Sequence, residues 1–247
     1  MGLSDNPKKK DNKIYRGAYK YMRNGNEYCE ETFEVFKEKG ESSTLFQSQI
    51  MSRVSTGELL NITVDFKINK DYIPTLVVIN KILGNDNVLE TYSFNSKNNT
   101  VEYTFKNGDE TKTATLNTTP KFFISTPAVC TSMLYLRSKK FDPTGKNIYN
   151  VLSSSNQWSY ENDPEFNAIT VRRMNQSSET KNLDGNNVQG MDYKIEEQSD
   201  SDEYDKTTPH LRSFVSQHIT IPYFLEDGQG TKIEIKYLNN LSERELD

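Results

Sequence analysis

Leu60, Ile62, Val64, Phe66 and Ile68 alternate with Asn61, Thr63, Asp65 and Lys67. An apolar residue at every second position marks a β-strand with one face in a core and the other in water. Val101, Tyr103 and Phe105 repeat the pattern, Asn107-Gly108 supplies a turn that tolerates positive φ, and residues 111–116 form a Thr-rich return run. The same period predicts strands at 15–21, 31–36, 45–50, 75–82 and 88–94. Asn24-Gly25-Asn26, Lys39-Gly40, Thr56-Gly57, Gly84-Asn85-Asp86 and the polar run 96–99 separate them. Strands at such even spacing, with little helix between, describe an antiparallel meander.

One segment departs from this rhythm. Across residues 127–137, Val129, Met133 and Leu136 fall at helical spacing, which predicts one short helix packed against the sheet. Asp142-Pro143-Thr144-Gly145 then turns the chain back into strands at 148–152, 157–160 and 168–173. From 175 to 208 the texture becomes loop-rich and acidic, with Asn182 to Asn187 read as a loop and one modest strand at 193–195. A last pair of strands, 218–223 and 232–238, flanks a turn at Asp227-Gly228. The expected organisation is a polar tail over 1–13, a single domain over 14–240 carrying the 175–208 insertion, and a C-terminal tail over 241–247. The fold class is all-β: a curved antiparallel half-barrel or near-closed barrel of about ten strands with one short helix.

Composition narrows the function classes. Hydrophobic residues make up only 34% of the 247, yet 14 Tyr, 12 Phe and 1 Trp can close a core. No run approaches the roughly 18 apolar residues of a membrane-spanning helix, so no membrane span is expected. A net charge of −5 argues against nucleic acid as a partner. No apolar stretch follows Lys8, Lys9 and Lys10, which leaves two compartments open. They are the cytoplasm for the chain as it stands and the periplasm if an export signal has been removed. Cys29 and Cys130 neither demand nor forbid a disulfide. The Asn-x-Ser/Thr sequons at Asn61, Asn98, Asn117, Asn175 and Asn240 carry little weight in so Asn-rich a chain.

The order of features resembles that of an uncharacterised bacterial family of presumed envelope proteins. A glycine near the first strand precedes long alternating strands. Then come the Ser132–Arg137 segment, a strand led by Gly145, and a closing hairpin with Ile221-Pro222-Tyr223 and Gly228. The resemblance covers most of 15–238 and implies the half-barrel of the lipoprotein carriers LolA and LolB, a curved sheet around a helix and an apolar hollow. It implies an acyl chain or other hydrophobic small molecule as partner and no cofactor. The violacein-pathway enzyme VioE, on a related half-barrel, implies the alternative of a cofactor-independent isomerase or cyclase.

Candidate site residues follow from aromatic pairs on predicted strands. Tyr19 with Tyr21, Phe122 with Tyr135, and Trp158 with Tyr160 offer apolar contact plus a hydroxyl or indole donor, although ordinary sheet packing uses the same residues. Arg172 and Arg173 are adjacent in a strand and face opposite sides, so Arg173 is a candidate clamp for an anionic head group, with a surface ion pair as the plainer role. Arg137 belongs to the same group of cations. His210 and His218 are the only imidazoles and candidate general bases, with a surface role favoured for both. Asp200, Asp202, Glu203 and Asp205 lack the glycine and terminal Glu of a calcium loop and read as a solvated stretch, or as a docking loop for a basic partner. No metal site, phosphate loop, dinucleotide fingerprint or serine elbow is present. Catalytic residues, ligand identity and oligomeric state stay open.

Overall fold

The computed structural model describes residues 12–37, 42–183, 185–197, 210–216 and 219–242. Its first eight strands are β1 (Lys13–Arg23), β2 (Asn26–Lys37), β3 (Thr44–Arg53), β4 (Leu59–Ile68), β5 (Pro74–Leu83), β6 (Asp86–Asn95), β7 (Thr100–Asn107) and β8 (Glu110–Asn117). Each pairs antiparallel with the next. The first hairpin signal acts as expected: Asn24 and Gly25 adopt φ of 51° and 83°, a two-residue turn whose twist suits the flanking strands, while the Lys39-Gly40 turn lies outside the described residues.

After β8 the chain enters the concave side of the sheet. β9 (Phe123–Ile124) and two 3-10 turns, Val129–Thr131 and Leu134–Arg137, form this crossover. The short helical segment predicted over 127–137 therefore takes the form of two tight turns. The second half comprises β10 (Lys146–Ser153), β11 (Glu165–Arg173), β12 (Glu179–Leu183), β13 (Asn186–Glu197), β14 (Leu211–Ser216), β15 (Pro222–Glu226) and β16 (Thr231–Asn240). β16 pairs back on β1, giving one sheet in the order β8 to β1, then β16, β15, β14, β13, β11, β10 and β9. β8 and β9 are its two edges, and β12 pairs with β13 off this path.

The protein is thus a mostly-β, single open sheet that curls on itself, with more strands than the expected ten: sixteen among the described residues. Three local expectations need correction. Residues 157–160 are loop, and Trp158 and Tyr160 do not share a strand face. Asn182 to Asn187 is the tip of a β12–β13 hairpin: Leu183 pairs with Asn186, and the Asn182 and Asn187 amides bond across it at 3.0 Å. The last strand pair begins at Pro222, because Thr220 adopts a φ of 55° and Pro222 has no N–H to extend the ladder upstream. His218 and the acidic run 200–205 lie outside the described residues.

Alternation sorts the side chains. Val64, Phe66 and Ile68 are buried, while Asp65 between them is exposed and Lys67 half-buried. The buried set meets the crossover, where Phe66 stacks on Phe123 with ring centroids 5.2 Å apart. Burying a side chain of this size stabilises by roughly 1.5–3 kcal/mol, so the crossover acts as a hydrophobic plug. Gly17 on β1 leaves room for its cross-strand partner: a Cβ there would lie 2.4 Å from the Phe33 ring.

Candidate functional site

Two charged clusters sit inside the sheet. Glu31 follows the inward register of Phe33 and Val35 on β2 and is fully buried. Its carboxylate accepts from Tyr21 Oη at 2.7 Å, Ser48 Oγ at 3.0 Å, Val129 N at 2.8 Å and Cys130 N at 3.2 Å. Burial raises the Glu31 carboxyl above the ordinary carboxylate range, while these donors pull it back. The residue ties the first 3-10 turn of the plug to the wall. Burial and the neighbouring Glu31 charge also push the Cys130 thiol well up. Cys29, pushed up to about 11 chiefly by burial, is likewise an unpaired buried thiol.

The second cluster joins β5, β6 and β7. Lys81 Nζ donates to Glu90 Oε1 at 2.7 Å and to the Asn156 carbonyl at 3.0 Å. Tyr103 and Tyr92 donate to Glu90 Oε2 at 2.9 Å and 3.2 Å. Asn156 also donates to Tyr103 Oη at 3.1 Å, and it accepts the N–H groups of Glu161 and Asn162. This network folds the 157–160 loop over the end of the sheet.

Between the plug and the second half of the sheet lies a cleft of about 480 Å³. Phe123, Met133, Tyr135, Val151, Ile169, Ile195 and Leu211 give it an apolar wall, and Ser125, Thr126, Ser132, Ser153, Asn167, His210 and Asp227 supply polar groups. A smaller polar compartment of about 370 Å³ contains Lys81, Glu90, Tyr92 and Asn156. Ser125, Thr126 and Ser153 border both spaces. Asp227 is held below the usual carboxylate range by the backbone N–H groups of Gln229 and Thr231, together with the Thr231 hydroxyl. The volume and the mostly apolar surface suit a small-molecule pocket, with as many polar as apolar residues along its border.

No family model matches the chain, and no curated protein matches it. At the level of structure, it is similar to a β-barrel-like protein of domain of unknown function DUF1849 from Brucella abortus. The TM-score is 0.56 at 10% identity, over 92% of this chain and 98% of that one. A DUF1089 family protein from Pseudomonas aeruginosa gives a TM-score of 0.49 at 10% identity, over 79% of this chain and 88% of that one. The fold is β-barrel-like.

Among the aromatic candidates, Tyr135 lines the cleft, against Phe123 and Tyr149 with centroids 5.4 Å and 4.8 Å away. Tyr19 is wholly buried and donates to the Pro222 carbonyl at 2.8 Å. Tyr21 is committed to Glu31, and Phe122 packs edge-on against Phe94 and Phe166. Trp158 is half-buried, with its carbonyl accepting from Asn107 Nδ2 at 2.7 Å. Tyr160 leans on Tyr103 and Phe105 and donates to Asp163. The Arg173 guanidinium lies over the Phe141 ring, 5.9 Å from its centroid, and Arg172 is exposed.

His210 lines the cleft. Among the described residues, no group of three His, Cys, Asp or Glu side chains is placed to hold a metal ion, and no helix is long and apolar enough to cross a membrane. The charged clusters escaped the sequence reading although a signal existed. Glu31, Lys81 and Glu90 each interrupt an apolar period on the inward face of a strand.

Proposed function

We propose that this protein binds a hydrophobic or amphiphilic, lipid-like small molecule in the cleft between the plug and β10, β11, β13 and β14. The observation that carries the reading is the 480 Å³ cleft whose wall is made by Phe123, Met133, Val151, Ile169, Ile195 and Leu211. Filling it would remove apolar surface of both partners from water, at about 25 cal/mol per Å². The hydroxyls of Ser125, Thr126 and Ser153 would orient the polar end. The plug restricts the site, because the buried Phe123 and Met133 form its near wall.

Titration with the uncharged fluorescent probe N-phenyl-1-naphthylamine tests this. Wild-type protein should bind it with a blue-shifted emission. Ile169→Trp, which places a large ring in the cleft, should weaken binding at least tenfold while the far-UV spectrum is kept. No binding by the wild type, or equal binding by the folded variant, would reject the reading. Native mass spectrometry of freshly purified protein should also reveal an acyl-containing species lost on solvent extraction.

A further inference from the structure

The polar compartment beside the cleft has no part in plugging the sheet, yet it presents a buried ion pair to an open space. Lys81 is 7% exposed and Glu90 2% exposed, and both border the 370 Å³ compartment. Glu90 takes the Lys81 ammonium on one oxygen, which keeps one acceptor position, and Tyr92 and Tyr103 on the other. Lys81 also has capacity left. An ammonium has three protons, and its acceptors are Glu90 and the Asn156 carbonyl, which leaves one N–H toward the compartment. The remaining polar side chains along the border are uncharged: the hydroxyls of Ser125, Thr126, Ser153 and Ser154 and the carboxamides of Asn156 and Gln157.

We propose that this compartment receives the uncharged, hydroxyl-bearing head group of the amphiphile whose chain fills the cleft. The inference rests on the proposed binding function and adds the head-group class. A neutral polyol accepts from Lys81 and exchanges hydrogen bonds with the serine and threonine hydroxyls, without leaving any charge unpaired. An anionic head would approach Lys81 only by approaching the Glu90 carboxylate, 2.7 Å from the same ammonium. A cationic head would meet Lys81 itself. Either ion would lose its hydration for a site whose charges are already matched. The shared border at Ser125, Thr126 and Ser153 lets one molecule span both spaces.

Calorimetric titration of the full chain with three probes of equal chain length, each below its micelle concentration, tests the proposal. 1-Decanoylglycerol should bind at least ten times more tightly than decanoate or decyltrimethylammonium. If either ion binds as well as the glyceride, the head-group assignment is wrong while cleft binding survives. If none binds, the cleft reading fails and takes this inference with it. Glu90→Gln leaves the compartment with a net positive charge, so decanoate affinity should rise at least tenfold. Unchanged decanoate affinity in a folded Glu90→Gln protein would overturn the placement. The wild-type comparison decides the matter alone if that variant does not fold.

Discussion

The strands β1–β8 and the strands β10–β16 belong to one sheet, but their concave faces are filled in opposite ways. Against the first half the plug makes solid contact, with Phe123 on Phe66 and the Glu31 carboxylate holding two backbone N–H groups of its first turn. Against the second half the same plug is joined only along β10, by the β9 pairing and Tyr135 on Tyr149, and beyond that seam Ile169, Ile195 and Leu211 face a cleft. A single crossover thus serves as core for one wall and as the near side of a pocket for the other. Fold and site are therefore separable only in part. Phe123, Met133 and Tyr135 belong to both, whereas Ile169, Ile195 and Leu211 line the cleft from strands that the plug does not pair with.

The largest test of that separation is removal of the tether. In Glu31→Gln the new amide nitrogen must face two donors whichever way it is turned, since each carboxylate oxygen accepts from one hydroxyl and one backbone N–H. The hydroxyl there can turn to accept from the amide, but a buried backbone N–H of the plug loses its acceptor and the charge-assisted bonds are lost, so the variant should lose about 3 kcal/mol in urea denaturation. Probe binding should fall with it, because the plug forms the near wall of the cleft. A variant as stable as the wild type would mean that apolar packing alone seats the plug.

The next comparison is a matched pair of enlargements. Val77 is wholly buried on β5, and Phe there must displace packed neighbours, an overpacking that typically costs 1–3 kcal/mol. Val151 on β10 faces the cleft, and Phe there has room. Val77→Phe should therefore be about 2 kcal/mol less stable than Val151→Phe, while only Val151→Phe should lose probe affinity. Equal costs would mean that the second half is packed like the first.

The same contrast decides what could be read from the sequence. The first half was legible because β2 to β7 each bury one face and leave the other to water, so their period is clean, as at Leu60 to Ile68. In the second half, β12 is only five residues, Glu179–Leu183, and β14 and β15 six and five, too short for a period to emerge. The cleft was harder still, since its wall joins Phe123 to Val151 through a parallel pairing of a two-residue strand. Aromatic pairs drew attention to Tyr19 and Tyr21, but their hydroxyls turned out to be spent on Pro222 and Glu31. A carboxylate in an apolar period, Glu31 with Phe33 and Val35, was the better signal of a tertiary tie, though its donors lie 98 and 99 residues away.

The smallest effect concerns Asp227, on the lip of the cleft in the β15–β16 turn. Its carboxylate accepts the N–H groups of Gln229 at 2.7 Å and Thr231 at 3.0 Å, which lowers its pKa from the ordinary 3.8. A lowered folded-state pKa means that the unfolded chain binds the proton more readily, so stability rises with pH across the interval between the two values. The contribution is complete above 3.8 and disappears as pH falls through the folded value. Solvent screening at this exposed turn keeps it below about 0.5 kcal/mol. Asp227→Asn should flatten the acid limb of the stability curve by that small amount. In amide spectra its shifts should stay within β15, β16 and the cleft lip and leave β2–β8 unmoved, as expected if the first half stands independently of the site.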